Sequence, residues 1–340
     1  MNAVLTGSGA ALPATIDQMA AWDGFFAQHY ADVRVARRIF AGAGVRTRHA
    51  VANPLDEDLT TWSTGARMAR YVTEALPLGK QAVAGALDSA GLAPGDVGLF
   101  AVATCTGYAT PGLDIRLASD LGMSVGLERL LVGHMGCYAA LPGLAAVGDF
   151  VTARQKPAVL LCCELTSLHV QPAHPDLDQV VAHALFSDAA AAVVVEPGAR
   201  GRRIAGVVAR TDPSTADHMT WDVTDLGFRM GLSPRVPDVL ARHVGGVVDE
   251  LLSGAGLRIE DVAGWAVHPG GPRILDVVRD ELGLAETDLA AARTVLAEHG
   301  NCSSATVLLV LDELGDVDGP VVAMAFGPGL TLYAALLLPA

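Results

Sequence analysis

Aromatic side chains are scarce in this sequence, at 5%, although 51% of its 340 residues are hydrophobic. The interior must therefore be built from Ala, Val, Leu and Gly. Charge is thin as well: 18% of residues are charged, against about a quarter in ordinary soluble domains, which implies much buried surface and a subunit interface. Positive charge is in deficit. The net value of −14 excludes nucleic acid or an anionic membrane as a partner of the surface as a whole. Five cysteines, an odd number scattered along a long chain, form no disulfide framework. The adjacent Cys162 and Cys163 lack metal-ligand spacing, so no metal site is expected. No basic, apolar, small-residue leader opens the sequence, and a cytoplasmic location is expected.

One long apolar run does occur. The C-terminal "PVVAMAFGPGLTLYAALLLPA" matches a membrane span in length. Gly327, Pro328 and Gly329 stand in its middle, where proline removes a helical hydrogen bond. The run predicts two buried strands joined by a tight turn.

The length suits one large or two medium domains. Short apolar, β-branched runs alternate with alanine-rich helical stretches. Strands are expected at 97–105, 158–165, 189–197, 204–211, 264–270, 321–326 and 331–338, and helices at 64–91, 112–121, 137–154, 236–254, 272–282 and 302–314. This order predicts an α/β fold whose strands are apolar on both faces because helices cover each side. The stretch "EPGARGRR" (196–203) is the best boundary, dividing the chain into 1–198 and 199–340. The two parts share a loose strand and helix order without a residue-level repeat.

Against the acidic background, "VRVARRIFAGAGVRTRH" (33–49) carries Arg34, Arg37, Arg38, Arg46 and Arg48 with no acid among them. Such a run reads as a solvated helix face or as a grip for a phosphorylated ligand.

Three further segments carry chemistry. In "GHMGCYAALPG", Cys137 follows a glycine at the expected start of a helix, where free N–H groups and the helix dipole favour thiolate. Pro142 fits only a first helical turn, so the helix starts just after the cysteine. In "GWAVHPGGPRILD", an apolar strand ends in His268, ahead of a loop where Gly270 and Gly271 let a ligand approach the backbone. In "EHGNCSSATVLLVLDEL", Asn301 precedes an apolar helix, as an N-cap or as an amide donor to an oxyanion. His134 and His299 are rival bases, but neither sits at an expected strand end. Each motif alone reads as structural. Together, a thiol, an imidazole and an amide suit a thiolate that takes an acyl group beside two neutral donors that stabilise an enolate.

These segments, with "AFGPGLT", "CELTSL" and "HALFSDAAAAVVV", resemble the type III polyketide synthases, the chalcone synthase-like family, in order and spacing from about residue 33 to 337. The resemblance implies a thiolase fold of five αβαβα layers built from two similar halves, normally as a homodimer. It implies CoA thioesters as substrates, with no other cofactor. Cys137 would carry the acyl chain, and His268 and Asn301 would activate it and stabilise the enolate left when malonyl-CoA loses CO₂. Phe186 and Met230 would be gatekeepers, with Cys105, His169 and Ser303 lining the cavity. Arg38 would meet CoA phosphate, Arg34, Arg37 or Arg46 would replace a second basic residue that falls on Gly42, and Arg273, with Gly270 and Gly271, lies at a CoA contact.

The departures are Tyr138 and Pro142 after the cysteine, Cys105 and His169 at cavity positions, and AFGPG for the usual GFGPG. They leave the starter, the extension count and the ring closure open. Iterative condensation of malonyl-CoA onto an acyl-CoA starter is the leading reading. An acyl carrier protein is not an expected partner on that reading. A ketosynthase III-like enzyme making one condensation, with a carrier-protein partner, is the alternative. A non-catalytic acyl-binding scaffold is the third, and such relatives usually lose the cysteine.

Overall fold

The computed structural model describes residues 2–340. The first half runs through β1 (Asn2–Ala11), β2 (Thr15–Asp17), α1 (Gln18–Ala21), α2 (Ala27–His29), α3 (Ala36–Gly42) and β3 (Thr47–His49). It continues with α4 (Thr64–Ala90), β4 (Leu99–Thr104), α5 (Leu113–Asp120), β5 (Glu128–Gly133) and α6 (Ala140–Arg154). β6 (Ala158–Leu165), α7 (Leu177–Leu185) and β7 (Asp188–Gly198) complete it. The second half has β8 (Arg202–Thr211), the hairpin β9 (Met219–Thr224) and β10 (Gly227–Leu232), α8 (Val236–Ser253), β11 (Gly264–Val267) and α9 (Pro272–Leu282). α10 (Ala290–His299), α11 (Thr306–Leu314), β12 (Val321–Gly327) and β13 (Thr331–Pro339) close the chain.

The main sheet has the order β11-β12-β13-β8-β1-β7-β6-β4-β5. The join between β8 and β1 is slight, with only Val4↔Arg203 and Leu5↔Arg202 paired. On either side of it the pattern repeats: β4 and β6 run parallel, then β7 and β1 antiparallel. Likewise β11 and β12 run parallel, then β13 and β8 antiparallel. Thus β4 corresponds to β11, β6 to β12, β7 to β13 and β1 to β8, while β5 has no counterpart. α4 covers the first half-sheet, α6 and α11 lie between the two, and α8 covers the second. This is the five-layered αβαβα arrangement of two similar halves that the resemblance implies.

Small residues make the layers possible. Gly7 and Gly9 of β1 touch the backbone of α4 so closely that a Cβ on either would collide with the carbonyl oxygens of Ala86 and Ala82. Such overpacking costs roughly 1–3 kcal/mol. α4 turns Tyr71, Ala75, Gly79, Ala82 and Ala86 inward at helical spacing. Ser63 caps its first turn by accepting from Ala66 N–H, and Gly91 ends it in the left-handed region at φ 71°. Gly136–Arg154 is long and apolar enough to pass for a membrane span by length and composition. It is mostly buried here, because its α6 portion is the central layer. The C-terminal apolar run forms β12 and β13, paired from Val321↔Leu337 to Gly327↔Thr331 across the Gly-Pro-Gly turn.

Candidate active site

Equivalent strands of the repeat end in candidate site residues. Cys105 follows directly on β4 and His268 directly on β11, whereas Cys137 and Asn301 each precede a central helix, α6 and α11. Strand ends and helix starts supply fixed backbone directions, so the site sits on rigid elements.

Cys137 occupies a single 3₁₀ turn, Gly136–Tyr138, and α6 begins at Ala140 with Pro142 in its first turn. Gly136 has φ 76°, and a Cβ there would lie 2.7 Å from Pro328 Cδ. The Gly-Pro-Gly turn therefore packs against the turn that carries Cys137. Tyr138 points away from the cavity, stacks on Tyr333 at 5.4 Å and lies flat against Gly327. The thiolate expected from the helix dipole is not favoured. Burial pushes the thiol up to about 12, and the Glu164 charge adds to this. The Ser303 and Asn301 side chains and the residue's own N–H act the other way. With the helix starting beyond the cysteine, its dipole is too distant to win.

His268 is 1% exposed, and both ring nitrogens are buried without a hydrogen-bond partner. Burial brings its pKa down to about 3, so the ring is a neutral imidazole with one N–H to give and one lone pair to accept. Asn301 receives a hydrogen bond on Oδ1 from Ser303 N–H at 2.9 Å. That commits the amide oxygen and leaves the NH₂ end for the cavity.

Cys137, His268 and Asn301 line one large cavity of about 2030 Å³ including its open mouth, with Arg38 and Arg273 toward the outside. Gly270, Gly271, Phe186 and Met230 border the same space. Beyond Cys137 lies an inner chamber of about 320 Å³, walled by Cys105, Ser303, Phe186, Met230 and Trp221. Cys105 Sγ is 3.4 Å from Ser303 Oγ and 3.6 Å from Glu164 Oε2. Glu164, fully buried, also accepts from Cys105 N–H at 3.0 Å, Thr106 Oγ1 at 2.8 Å and Ser304 Oγ at 2.5 Å.

Some expected residues lie elsewhere. His169 does not face the inner chamber: its Nε2–H donates to Thr106 O at 2.7 Å and Nδ1 accepts from Phe228 N–H at 2.9 Å. It borders a neighbouring space of about 560 Å³ instead. Arg46 is on the surface in an ion pair with Glu298 at 2.9 Å, and Arg34 is exposed before α3; neither lines the cavity. His299 pairs with His49 at 2.9 Å and His134 is exposed, so neither rival base reaches the site.

Trp221 escaped the sequence reading because it sits in a polar hairpin with no motif. Its Nε1–H donates to Cys105 O at 2.7 Å, which fixes the indole as a chamber wall. Glu164 stands in "CELTSL", but only the fold reveals its partners.

A buried thiol, a neutral imidazole and an amide at the inner end of one cavity, with arginines at its mouth, define an acyl-transferring condensing enzyme on a thiolase-type fold. The chain belongs to the chalcone and stilbene synthases: the family's N-terminal domain matches residues 2–199 and its C-terminal domain 207–339. It is 39% identical to a 1,3,6,8-tetrahydroxynaphthalene synthase of Streptomyces peucetius subsp. caesius, over 90% of this chain and 84% of that protein. It is 32% identical to the alpha-pyrone synthesis polyketide synthase-like Pks18 of Mycobacterium tuberculosis, over 88% of this chain and 81% of that one. The crystal structure of the tetrahydroxynaphthalene synthase from Streptomyces coelicolor A3(2) superimposes with a TM-score of 0.93 at 28% identity, covering 99% of both chains. The protein is thus a type III polyketide synthase, an acyltransferase that condenses malonyl-CoA iteratively onto an acyl-CoA starter. The single-condensation reading is not favoured.

Proposed function

We propose that Cys137 carries the growing chain and that His268 and Asn301 serve both loading and extension. The observation that carries this reading is His268: a neutral, buried, unpartnered imidazole in the cavity that also holds Cys137 and Asn301. In loading, His268 takes the thiol proton and the sulfur attacks the acyl-CoA carbonyl. The C–S bond to CoA breaks, and the CoA thiolate leaves with that proton. In extension, malonyl-CoA loses CO₂, and the electron pair of the broken C–C bond becomes an enolate. The His268 N–H and the Asn301 NH₂ hold its oxygen. The enolate carbon attacks the Cys137 thioester, and the Cys137 thiolate is released for the next round.

CoA would lie along Arg38 and Arg273, whose guanidinium groups suit phosphate oxygens. The compact inner chamber, together with the identity to a naphthalene-forming relative, supports a small starter, with malonyl-CoA itself serving as one, and closure to a small aromatic ring. The turn between β7 and β8 would divide the chain into halves 1–198 and 199–340. A homodimer in the cytoplasm would use β5, whose outer edge is unpaired and whose Leu130 and Leu131 are 37% and 48% exposed.

Incubation with malonyl-CoA alone, and with short, long-chain and aromatic acyl-CoAs, tests this reading when protein and products are weighed by mass spectrometry. Expected are an acyl adduct on Cys137 and an aromatic polyketide from malonyl-CoA alone. Absence of any adduct with every starter would overturn it.

A further inference from the structure

Arg48 stands in the basic run near the N-terminus, yet it is 6% exposed and pairs with no carboxylate among the described residues. Its Nε–H donates to Gln18 Oε1 at 2.8 Å, and its Nη2 reaches the same oxygen. Nη1 donates to His183 O at 2.6 Å and Phe186 O at 3.1 Å, and Nη2 to Ala184 O at 2.7 Å. These carbonyls belong to the end of α7, where Phe186 is the C-cap. Free carbonyls at a helix C-terminus carry partial negative charge and attract a cation. The planar fork of a guanidinium serves several of them at once, which a lysine ammonium does not. Burial draws the guanidinium down to about 10, with Asp188 pulling the other way, so it stays charged at neutral pH.

The segment that Arg48 holds is tied directly to the catalytic amide. Ser187 N–H donates to Asn301 O at 2.9 Å, and Asn301 N–H donates to Leu185 O at 2.8 Å. The neighbouring residue His49 grips the same segment, its N–H donating to Ser187 Oγ at 2.8 Å. We propose that Arg48 is a positioning residue for condensation: by holding the last carbonyls of α7 it fixes the Phe186 backbone and, through the bridge, the place of Asn301. The inference rests on the role given to Asn301 above. A misplacement of about 1 Å at such a group lowers rate by on the order of a hundredfold.

The test compares Arg48→Lys and Arg48→Met with wild type by three readouts. They are the fraction of Cys137 acylated (intact mass), the extension rate per acylated enzyme (rapid quench), and malonyl-CoA decarboxylation in a Cys137→Ala background. The final acylated fraction should persist, though reached more slowly because Asn301 also serves loading, while extension per loaded site and decarboxylation fall by on the order of tenfold to a hundredfold, with little change in KM for malonyl-CoA. Wild-type extension per loaded site would show that Arg48 only supports folding and would overturn the proposal. If the Arg48 variants do not fold, Gln18→Met removes one acceptor and leaves the guanidinium, and a drop in extension per loaded site is expected there too. An unchanged rate in that variant overturns the proposal. Asn301→Ala separates the two readings: unchanged decarboxylation in it sinks the role of Asn301, whereas a loss there without one in Arg48→Lys sinks only the role of Arg48.

Discussion

Phe186 and Asn301, from opposite halves of the chain, lie side by side in a parallel bridge. Gly300 makes it possible: with φ 71° and a Cβ that would sit 2.9 Å from Ser187 Cβ, that position admits only glycine without strain. The wall of the chamber and the Asn301 amide therefore share one backbone connection. Movement of either strand shifts both.

His268→Gln keeps a neutral, polar side chain near the imidazole's size and removes the base. With burial holding the Cys137 thiol up at about 12, its alkylation by iodoacetamide in this variant should rise about tenfold per pH unit across neutral and alkaline pH, without a plateau. The wild type should react faster at neutral pH, because His268 accepts the proton. Identical pH–rate profiles, read by mass at Cys137, would remove His268 from the activation step.

Cys137→Ala should abolish the acyl adduct and all condensation products, while CO₂ release from malonyl-CoA continues at a reduced rate. In the proposed mechanism, decarboxylation needs only the donors at His268 and Asn301. Condensation products from this variant would mean that the nucleophile is another of the buried cysteines.

Glu164 gives a prediction about stability. Burial raises its carboxyl from the ordinary 4.5, against hydrogen bonds led by Ser304. A folded value above the unfolded one means that the folded state keeps the proton longer, so this group lowers stability as pH rises from 4.5 through the folded value. Glu164→Gln has no such dependence: denaturant melts should show the variant gaining on wild type as pH rises through that window. Glu164→Leu leaves the Cys105 N–H and the Thr106 and Ser304 hydroxyls unpaired. That change should cost on the order of 3 kcal/mol. Equal melts for the Gln and Leu variants would mean that the carboxylate network contributes nothing.

Much of this arrangement was legible in the sequence, and the exceptions have physical causes. The buried strands β4, β6, β12 and β13 announce themselves as apolar runs bounded by turn residues. β1 does not: "NAVLTGSGAA" trades β-branched residues for glycines because α4 presses on it. α7 and α10 were also missed, being short and set among prolines or charges. The thiol, imidazole and amide were readable because each stands at an element end with small neighbours. Arg48 was not, since a run of arginines gives no sign of which one turns inward. His169 borders the space next to the inner chamber, because both its ring nitrogens are bonded to backbone, which no sequence pattern reveals. Pro142 stands in the first turn of α6, as its missing N–H requires, whereas no sequence signal tells that Tyr138 stacks on Tyr333.

The outer edge of β5 supplies the last prediction. Edge strands with exposed apolar residues pair with other chains unless something covers them. Leu130 and Leu131 project from opposite faces of this strand, and Ile115, on the helix α5 that packs against it, is 42% exposed. If two copies meet here, light scattering on the purified protein should give about twice the 35.0 kDa chain mass. Leu131→Lys places a charge in that contact without touching the buried face of β4, so it should shift the mass toward one chain with little loss of helix signal. A wild-type mass of one chain, or a dimer unmoved by the lysine, would place the interface elsewhere.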